Sequence, residues 1–208
     1  MVDTTTLIVQ SLDHIYRRYF GKVLPEEEIR ALIGTPLRKQ IRIFGELETF
    51  GVDEATITAD CIRYYETHRE LEHVLEDVTA LLIEGKKRGL PTALVTSKNR
   101  EELANTLPRL GIADWVDYAV TADDVTHPKP DPEGLRLALT QLGIGIERAG
   151  EALYIGDTIH DMRAARDAGV RGVGVTWGAA TPEQLKAESP AFLCTTPEEL
   201  RRILFPAN

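Results

Sequence analysis

Apolar side chains recur at helical spacing through the first third of the chain. Between residues 3 and 20 they stand three or four positions apart, which places them on one face of a helix. Pro25, followed by three glutamates, marks the start of a second helix, because proline fits the first turn and acids complement the helix dipole there. Similar patterns cover residues 37–44 and 53–69. Residues 1–73 are therefore expected to form a small, all-helical domain without strands.

From about residue 75, short apolar runs alternate with amphipathic segments. The apolar runs are bounded by glycine, proline or polar residues, as buried strands are. Strands separated by helices require parallel crossover connections, with helices on both faces of the sheet. Residues 74–208 are therefore expected to form an α/β domain with a Rossmann-like parallel sheet. The predicted strands are 91–96, 118–120, 152–155 and 173–176, and the predicted helices are 78–88, 99–110, 132–142 and 161–168.

The formal net charge of -9 over 208 residues argues against a polyanionic partner such as a nucleic acid. Nucleic-acid-binding proteins usually carry a basic stripe, so we expect no nucleic-acid partner.

The two cysteines, Cys61 and Cys194, stand far apart, which argues against a disulfide framework or a cysteine metal site and suits a reducing cytoplasm. The first residues lack the features of a signal peptide, and no apolar run has the length of a membrane span. The expected location is the cytoplasm, without a membrane partner.

Two carboxylates follow the apolar run that ends at Ile155. Gly156 and Asp157 come directly after this run, and Asp161 stands four residues later. Open α/β sheets bind ligands at the carboxyl ends of their strands, and Mg²⁺ prefers oxygen ligands shared with water and phosphate. The pattern favours a Mg²⁺ site formed by Asp157 and Asp161. The alternative is that the two acids only stabilise the start of the next helix.

Hydroxyl groups and a lysine complete a candidate phosphate site. Thr96 and Ser97 lie just past the apolar run Ala93-Leu94-Val95, at a turn from a strand into a helix, where hydroxyls and free backbone N–H groups can hold phosphate oxygens. Lys129 lies among alternating prolines, which stiffen the backbone and restrict the position of its ammonium. Helix capping by Ser97 or Asn99, and a solvated surface lysine, are the competing interpretations.

Together these segments resemble the haloacid dehalogenase superfamily of phosphotransferases, in particular its small phosphatases with a helical cap, such as phosphoglycolate phosphatases. The resemblance spans essentially the whole chain and is carried by residues 94–98, 127–132 and 155–161. It implies Mg²⁺-dependent hydrolysis of a small phosphorylated metabolite, with residues before about 73 as the cap. The roles it implies are hydrogen bonding to the phosphoryl group by Thr96, charge balance by Lys129, and Mg²⁺ binding by Asp157 and, directly or through water, by Asp161.

One motif of these phosphatases is missing from the sequence. They open with an apolar strand ending in D-x-D-G-T-L, whose first aspartate is the nucleophile and whose second is the acid/base, and Val2-Asp3-Thr4 resembles the segment that follows it. Formation of an aspartyl-phosphate needs a positioned carboxylate. The chain is therefore expected to be truncated and weakly active or inactive, with weakly bound Mg²⁺. The resemblance also implies that the first, central core strand is absent, so its neighbours would expose unpaired edges unless they close up or borrow a strand. Either a rearranged sheet or a homo-oligomer is therefore expected.

Three hypotheses for the function stay open. The chain is either a phosphatase whose first motif lies outside these residues, or a non-catalytic protein that uses the same fold to bind phosphate or a partner. The third hypothesis is dehalogenase or phosphomutase chemistry, which Lys129 and the Gly156-Asp157 pair match less well.

Overall fold

The chain divides between Val74 and Leu75 into two compact units. The structure is a computed structural model that describes residues 2–35 and 37–206. The first unit is mostly helical, and the second alternates strands with helices. None of the helices in the described residues has both the length and the hydropathy needed to cross a membrane.

The helical unit is built around two packed helices, α1 (Thr5–Ile15) and α4 (Glu54–Thr67). A π-helical turn, Tyr16–Phe20, prolongs α1, and Asp53 caps α4 by accepting a hydrogen bond from the Thr56 N–H. Two short helices, α2 (Glu26–Arg30) and α3 (Leu37–Ile41), complete the unit. Its core includes Leu12, Ile15, Tyr16, Phe20, Ile29, Ile41, Ile57 and Cys61.

A short ladder joins the two ends of the helical unit. Strand β1 (Val2–Asp3) pairs antiparallel with β2 (His73–Val74), with Val2 opposite Val74. The expectation of a unit without strands is wrong at this point. Two residues are too few to show a period of two, so the apolar pattern had nothing from which to predict the ladder.

The α/β unit contains five parallel strands in two separate sheets. Strand β3 (Ala93–Val95) pairs with β4 (Tyr118–Val120), and β5 (Leu153–Gly156) pairs with β6 (Arg171–Val175), which also pairs with β7 (Phe192–Cys194). The α/β class and the parallel sheet are confirmed. The helices of this unit are α5 (Glu76–Lys87), α6 (Arg100–Leu110), α7 (Glu133–Gln141), α8 (Ile159–Ala168), α9 (Pro182–Ala187) and α10 (Pro197–Leu204).

Helices α7 and α8 cover one side of both sheets. Helix α7 packs on β3 and β4, α8 packs on β5 and β6, and the two helices pack against each other. Their shared core includes Leu135, Leu139, Ala164 and Ala165, with Val95 and Tyr154 packed against it. On the opposite side, Val173 and Val175 of β6 form a second core with Leu81, Cys194 and Leu200. The layer of helices is continuous, whereas the layer of strands is split between β3 and β5.

Candidate active site

The predicted site residues of the α/β unit lie where β3 and β5 end. Thr96 directly follows β3, and Asp157 directly follows β5. Asp161 lies in the first turn of α8 and is buried. The turn before α7 carries Lys129, whose side chain reaches both strand ends. The fold thus brings together residues that are far apart in the sequence.

The ammonium of Lys129 is held by three oxygen atoms. Its Nζ lies 2.7 Å from Asp161 Oδ1, 3.1 Å from the Tyr154 hydroxyl and 3.4 Å from the Val95 carbonyl oxygen. A lysine ammonium has three hydrogens to donate, and these acceptors use all of them. The Lys129 and Asp161 side chains are only 15% and 5% exposed, so this is a buried ion pair.

Asp161 uses both of its carboxylate oxygens within the protein. Oδ1 accepts hydrogen bonds from Lys129 and Tyr154, and Oδ2 accepts from the N–H and the hydroxyl of Thr158, at 3.1 and 2.7 Å. The Asp161 N–H donates in return to the Thr158 hydroxyl, which completes a capping box at the start of α8. Helix capping and pairing with lysine are therefore functions of the same carboxylate.

Gly156 makes room for the Asp161 side chain. A Cβ built on Gly156 would lie 2.6 Å from Asp161 Cγ, well inside the normal contact distance. Only glycine permits this close approach between the end of β5 and the first turn of α8. The glycine of the Gly156-Asp157 pair is therefore required by the close packing of Asp161.

Burial and hydrogen bonding act in opposite directions on the Lys129–Asp161 pair. Burial alone would lower the pKa of the Lys129 ammonium, but Tyr154 and Asp161 outweigh burial and raise this pKa above its ordinary value. Burial alone would raise the pKa of the Asp161 carboxyl, but Lys129, Thr158 and Tyr154 lower it below its ordinary value. Both groups are therefore charged at neutral pH.

Asp157 has a different environment from Asp161. Its Oδ2 accepts a hydrogen bond of 2.9 Å from the Ala179 N–H, and its backbone oxygen accepts one from the Ala180 N–H. Gly178 allows this loop to come close, since a Cβ there would lie 2.5 Å from Asp157 Cγ. Burial, followed by the negative charge of Asp161, raises the pKa of the Asp157 carboxyl.

Asp157 fits a metal ligand better than Asp161 does. Among the described residues no ion pair forms with Asp157, and a carboxylate whose charge is penalised by burial is stabilised by a bound cation. Asp161 presents no oxygen that is not already bonded within the protein. Residues 2–35 and 37–206 contain no cluster of three or more acidic, histidine or cysteine side chains suited to a metal. Of the two predicted metal ligands, Asp157 is thus the one whose carboxylate could hold a divalent cation such as Mg²⁺, and further oxygen ligands, such as water and phosphate, would have to complete the shell.

Thr96 and Ser97 lie in the turn between β3 and α6. The Thr96 hydroxyl accepts a hydrogen bond of 3.1 Å from the Lys98 N–H, and Ser97 is exposed to solvent. The cap of α6 is Asn99, which forms a capping box with Glu102. Helix capping therefore does not require Ser97, which leaves its hydroxyl accessible at the strand end.

The backbone before α7 is fixed by one glutamate. Glu133 accepts hydrogen bonds from the N–H groups of Thr126 and His127, at 2.9 and 2.8 Å, and pairs with the His127 ring. Asp131 accepts from the Glu133 N–H at 2.9 Å. These bonds stabilise the turn that carries Lys129, in addition to the stiffness expected from its prolines.

Sequence reasoning missed Tyr154 and Thr158 as members of the site. Tyr154 lies in an apolar strand, where an aromatic residue is normally part of the core. Its hydroxyl nevertheless lies 3.0 Å from Asp161 Oδ1 and 3.1 Å from the Val95 oxygen. The signal available for Thr158 was the spacing of threonine and aspartate at positions 158 and 161, which is that of a capping box.

Comparison with known proteins agrees with this architecture. The sequence profile of haloacid dehalogenase-like hydrolases matches residues 1–175. Pyrophosphatase PpaX of Bacillus velezensis is 35% identical over 208 residues, which cover 98% of this chain and 91% of that protein. Pyrophosphatase PpaX of Bacillus cereus is 31% identical, covering 100% of this chain and 93% of the relative.

Solved structures show the same fold. The crystal structure of a hydrolase from Pseudomonas syringae superposes with a TM-score of 0.82 and 22% identity, covering 100% of this chain and 95% of that one. At this identity the likeness concerns the fold alone. The profile match over most of the chain, together with relatives above 30% identity, establishes the family. This chain belongs to the haloacid dehalogenase-like hydrolase family.

Proposed function

We propose that this chain provides the phosphate-binding part of a Mg²⁺-dependent phosphatase that acts on a small phosphorylated metabolite. The observation that carries the proposal is the Lys129 ammonium, which is held between the ends of β3 and β5 beside Thr96 and Asp157. A buried cation at the carboxyl ends of parallel strands is where an α/β sheet receives an anionic ligand.

Each site residue has a distinct role in this proposal. Thr96 and Ser97 bind phosphate oxygens through their hydroxyls and the backbone N–H groups of the turn. Lys129 balances the phosphate charge once the ligand replaces its weakest partner, the Val95 oxygen at 3.4 Å. Asp157 holds Mg²⁺, and Asp161 supports the site by holding Lys129. When bound, Mg²⁺ would stabilise negative charge that develops on the phosphoryl oxygens.

We propose that the nucleophile and the acid/base belong to a D-x-D-G-T-L segment, which these 208 residues do not contain. Without it, we expect the chain to be weakly active or inactive, because no aspartyl-phosphate can form. The relatives named pyrophosphatase make pyrophosphate a substrate to test beside 2-phosphoglycolate.

The helical unit is proposed to act as the cap. The buried, free cysteines Cys61 and Cys194 agree with a cytoplasmic location.

The test compares this chain with a version extended at its N-terminus by an apolar strand and D-x-D-G-T-L. Both are assayed on an aryl phosphate, pyrophosphate and 2-phosphoglycolate, with Mg²⁺ and with a chelator. We expect Mg²⁺-dependent turnover in the extended protein and its loss in the extended Asp157→Asn variant. The control is Lys186→Met, since Lys186 is exposed on α9 and is not one of the predicted site residues. Turnover that survives Asp157→Asn would overturn the proposal.

The non-catalytic alternative is distinguished by the same proteins. It expects no turnover in either form, together with saturable binding of inorganic phosphate that Lys129→Met weakens. Turnover in the extended protein that depends on Mg²⁺ and Asp157 excludes this alternative.

A further inference from the structure

Helix α4 carries apolar residues on two of its faces. Ile57 and Cys61 are buried in the core of the helical unit. Ala55, Ala59 and Ile62 stand four and three positions apart, which places them together on a different face of the helix. Both alanines are exposed, and Ile62 is 45% exposed. A surface helix normally presents polar residues to solvent, so packing of the described helical unit does not account for this second apolar face.

The second apolar face forms the floor of a surface pocket between α3 and α4. The pocket has a volume of about 540 Å³, and small-molecule sites typically have about 300–1,000 Å³. Charged side chains of α3, of the turn that follows it and of the first turn of α4 stand around the floor. We call it the α3–α4 pocket, lined by Arg38, Arg42, Glu54, Ala55, Ala59 and Ile62.

The two arginines of the pocket share one carboxylate. Arg42 donates from Nε to Glu54 Oε2 at 2.7 Å, and Arg38 Nε lies 3.0 Å from Glu54 Oε1. Arg42 also donates from a terminal nitrogen to Glu46 at 3.0 Å. Arg38 makes no hydrogen bond with the described residues other than those of its Nε to Glu54. Because a guanidinium has five N–H donors, both terminal nitrogens of Arg38 stay available to a ligand.

The available edge of Arg38 matches a planar carboxylate. Arginine and carboxylate groups commonly form two parallel N–H···O bonds, which need both terminal nitrogens or one of them with Nε. Within the pocket lining, two arginines face a single glutamate, which leaves one positive charge in excess. Glu46 is 78% exposed, so water screens most of its effect on the pocket. An anionic ligand group on Arg38 would balance the excess charge.

We propose that the α3–α4 pocket binds a small organic carboxylate with an unbranched apolar chain. The carboxylate binds the terminal nitrogens of Arg38, and the chain lies on the floor formed by α4. Alanine side chains leave space beside the helix backbone, which the chain fills. Glu54 orients the guanidinium of Arg38 before the ligand arrives, so less ordering is needed on binding. All of these residues belong to the helical unit, and the inference does not depend on the proposed function.

The experiment titrates the whole chain with hexanoate and follows the isoleucine methyl signals by NMR. We expect a saturable shift of the Ile62 methyl signal, with a dissociation constant in the millimolar range. Ile146 is the internal control, because it is 64% exposed and belongs to the α/β unit. Hexanamide has the same chain without the charge and should bind about tenfold more weakly.

Three outcomes of this titration would overturn the proposal. The first is the absence of a saturable Ile62 shift. The second is an equal shift of Ile62 and Ile146, which indicates non-specific apolar binding. The third is an Ile62 shift that grows with protein concentration without hexanoate, because a second copy of the chain would then cover the pocket.

Chain length tests the apolar floor separately from the arginine. Butanoate, hexanoate and octanoate carry the same carboxylate, and each methylene that enters the pocket should tighten binding about fourfold. Equal affinities across the series would show that only the charge is recognised, which contradicts a role for Ala55, Ala59 and Ile62.

Two variants test the two halves of the pocket. Arg38→Met keeps the apolar stem and removes the guanidinium, so hexanoate binding should weaken about tenfold while hexanamide binding is unchanged. Lys39→Met is the matched control, since it removes an exposed positive charge from the same helix without touching the pocket lining. An equal loss in both variants would contradict the proposal.

Ala59→Leu fills the floor at an exposed helix position and should abolish binding of hexanoate and hexanamide alike. If Arg38→Met disturbs the helical unit, Ala59→Leu decides. Binding of wild-type strength in that variant would overturn the proposal.

Discussion

Lys129 and Asp161 form a buried ion pair, with 2.7 Å between Nζ and Oδ1, across 32 positions of sequence. The pair connects the turn before α7 to the first turn of α8. Because Asp161 also caps α8 through Thr158, the position of the lysine depends on the start of that helix. The geometry at the start of α8 and the position of the Lys129 ammonium therefore depend on each other in this protein.

Removing the lysine is expected to destabilise the fold. Lys129→Met leaves the Asp161 carboxylate buried without its cation, which costs about 3–5 kcal/mol in the free energy of unfolding. Urea denaturation at neutral pH measures the loss. The matched variant Lys186→Met changes an exposed lysine and should alter stability by less than about 0.5 kcal/mol. A loss of similar size in both variants would show that the pair contributes nothing specific.

The pKa of Asp161 predicts how stability responds to acid. Its folded-state pKa lies below the unfolded value, so the carboxylate contributes its full stabilisation above an unfolded pKa of about 3.9. That contribution is lost as pH falls through the folded pKa. The stability difference between the wild type and Asp161→Asn should therefore shrink as the pH falls through this range. Urea titrations at a series of pH values test this, and a difference that grows on acidification would contradict it.

The stability contribution of Asp157 depends on pH in the opposite direction to that of Asp161. Its folded-state pKa is raised by burial, so its effect favours folding below the unfolded pKa and is lost as pH rises through the folded pKa. Above the folded-state pKa the ionised carboxylate is a cost to folding that Asp157→Asn removes, while the amide oxygen still accepts from the Ala179 N–H. We expect this variant to be about 0.5–2 kcal/mol more stable than the wild type without metal.

With added Mg²⁺, the wild type should become more stable than Asp157→Asn. A cation that binds only the folded wild type raises its melting temperature with concentration and leaves Asp157→Asn unchanged. Calorimetry with Mg²⁺ and with a chelator provides the comparison. An equal response of the two proteins would place the metal elsewhere.

We expect that position 156 tolerates no residue larger than glycine, because Gly156 lies against the Asp161 side chain. Gly156→Ala forces Asp161 away from Thr158 and Lys129, and overpacking of this kind costs about 1–3 kcal/mol. Gly150→Ala is the matched control, because the nearest atom to its Cβ would be 4.0 Å away. Thermal unfolding of both variants measures the difference, and equal stability of the two would refute the steric explanation.

The sequence predicted the α/β class because its strands are apolar runs bounded by turn residues, and the structure confirms the runs that became β3, β4, β5 and β6. It also indicated that residues 96, 129, 157 and 161 belong to one site, since the ends of parallel strands meet at one edge. Their roles in phosphate and metal binding stay predictions.

Other features depend on contacts that no local pattern records. Tyr154 has the sequence context of a core residue, and only the approach of Val95 and Lys129 gives its hydroxyl partners. The ion pair between Asp161 and Lys129 was likewise not predicted, because the two residues lie 32 positions apart in the sequence, and the role of Asp161 in supporting a metal stays a prediction. The elements α9, β7 and α10 were not among the predicted elements.

The ladder between β1 and β2 has an evolutionary consequence. Pairing Val2 with Val74 brings the beginning and the end of the helical unit side by side, and domains whose ends lie close together tolerate rearrangement of their connections. Such a module can be exchanged, lengthened or replaced by a short turn while the strand ends that hold Lys129 and Asp157 keep their own sequence. Selection can therefore act on the helical unit and on the residues around Lys129 as separate modules.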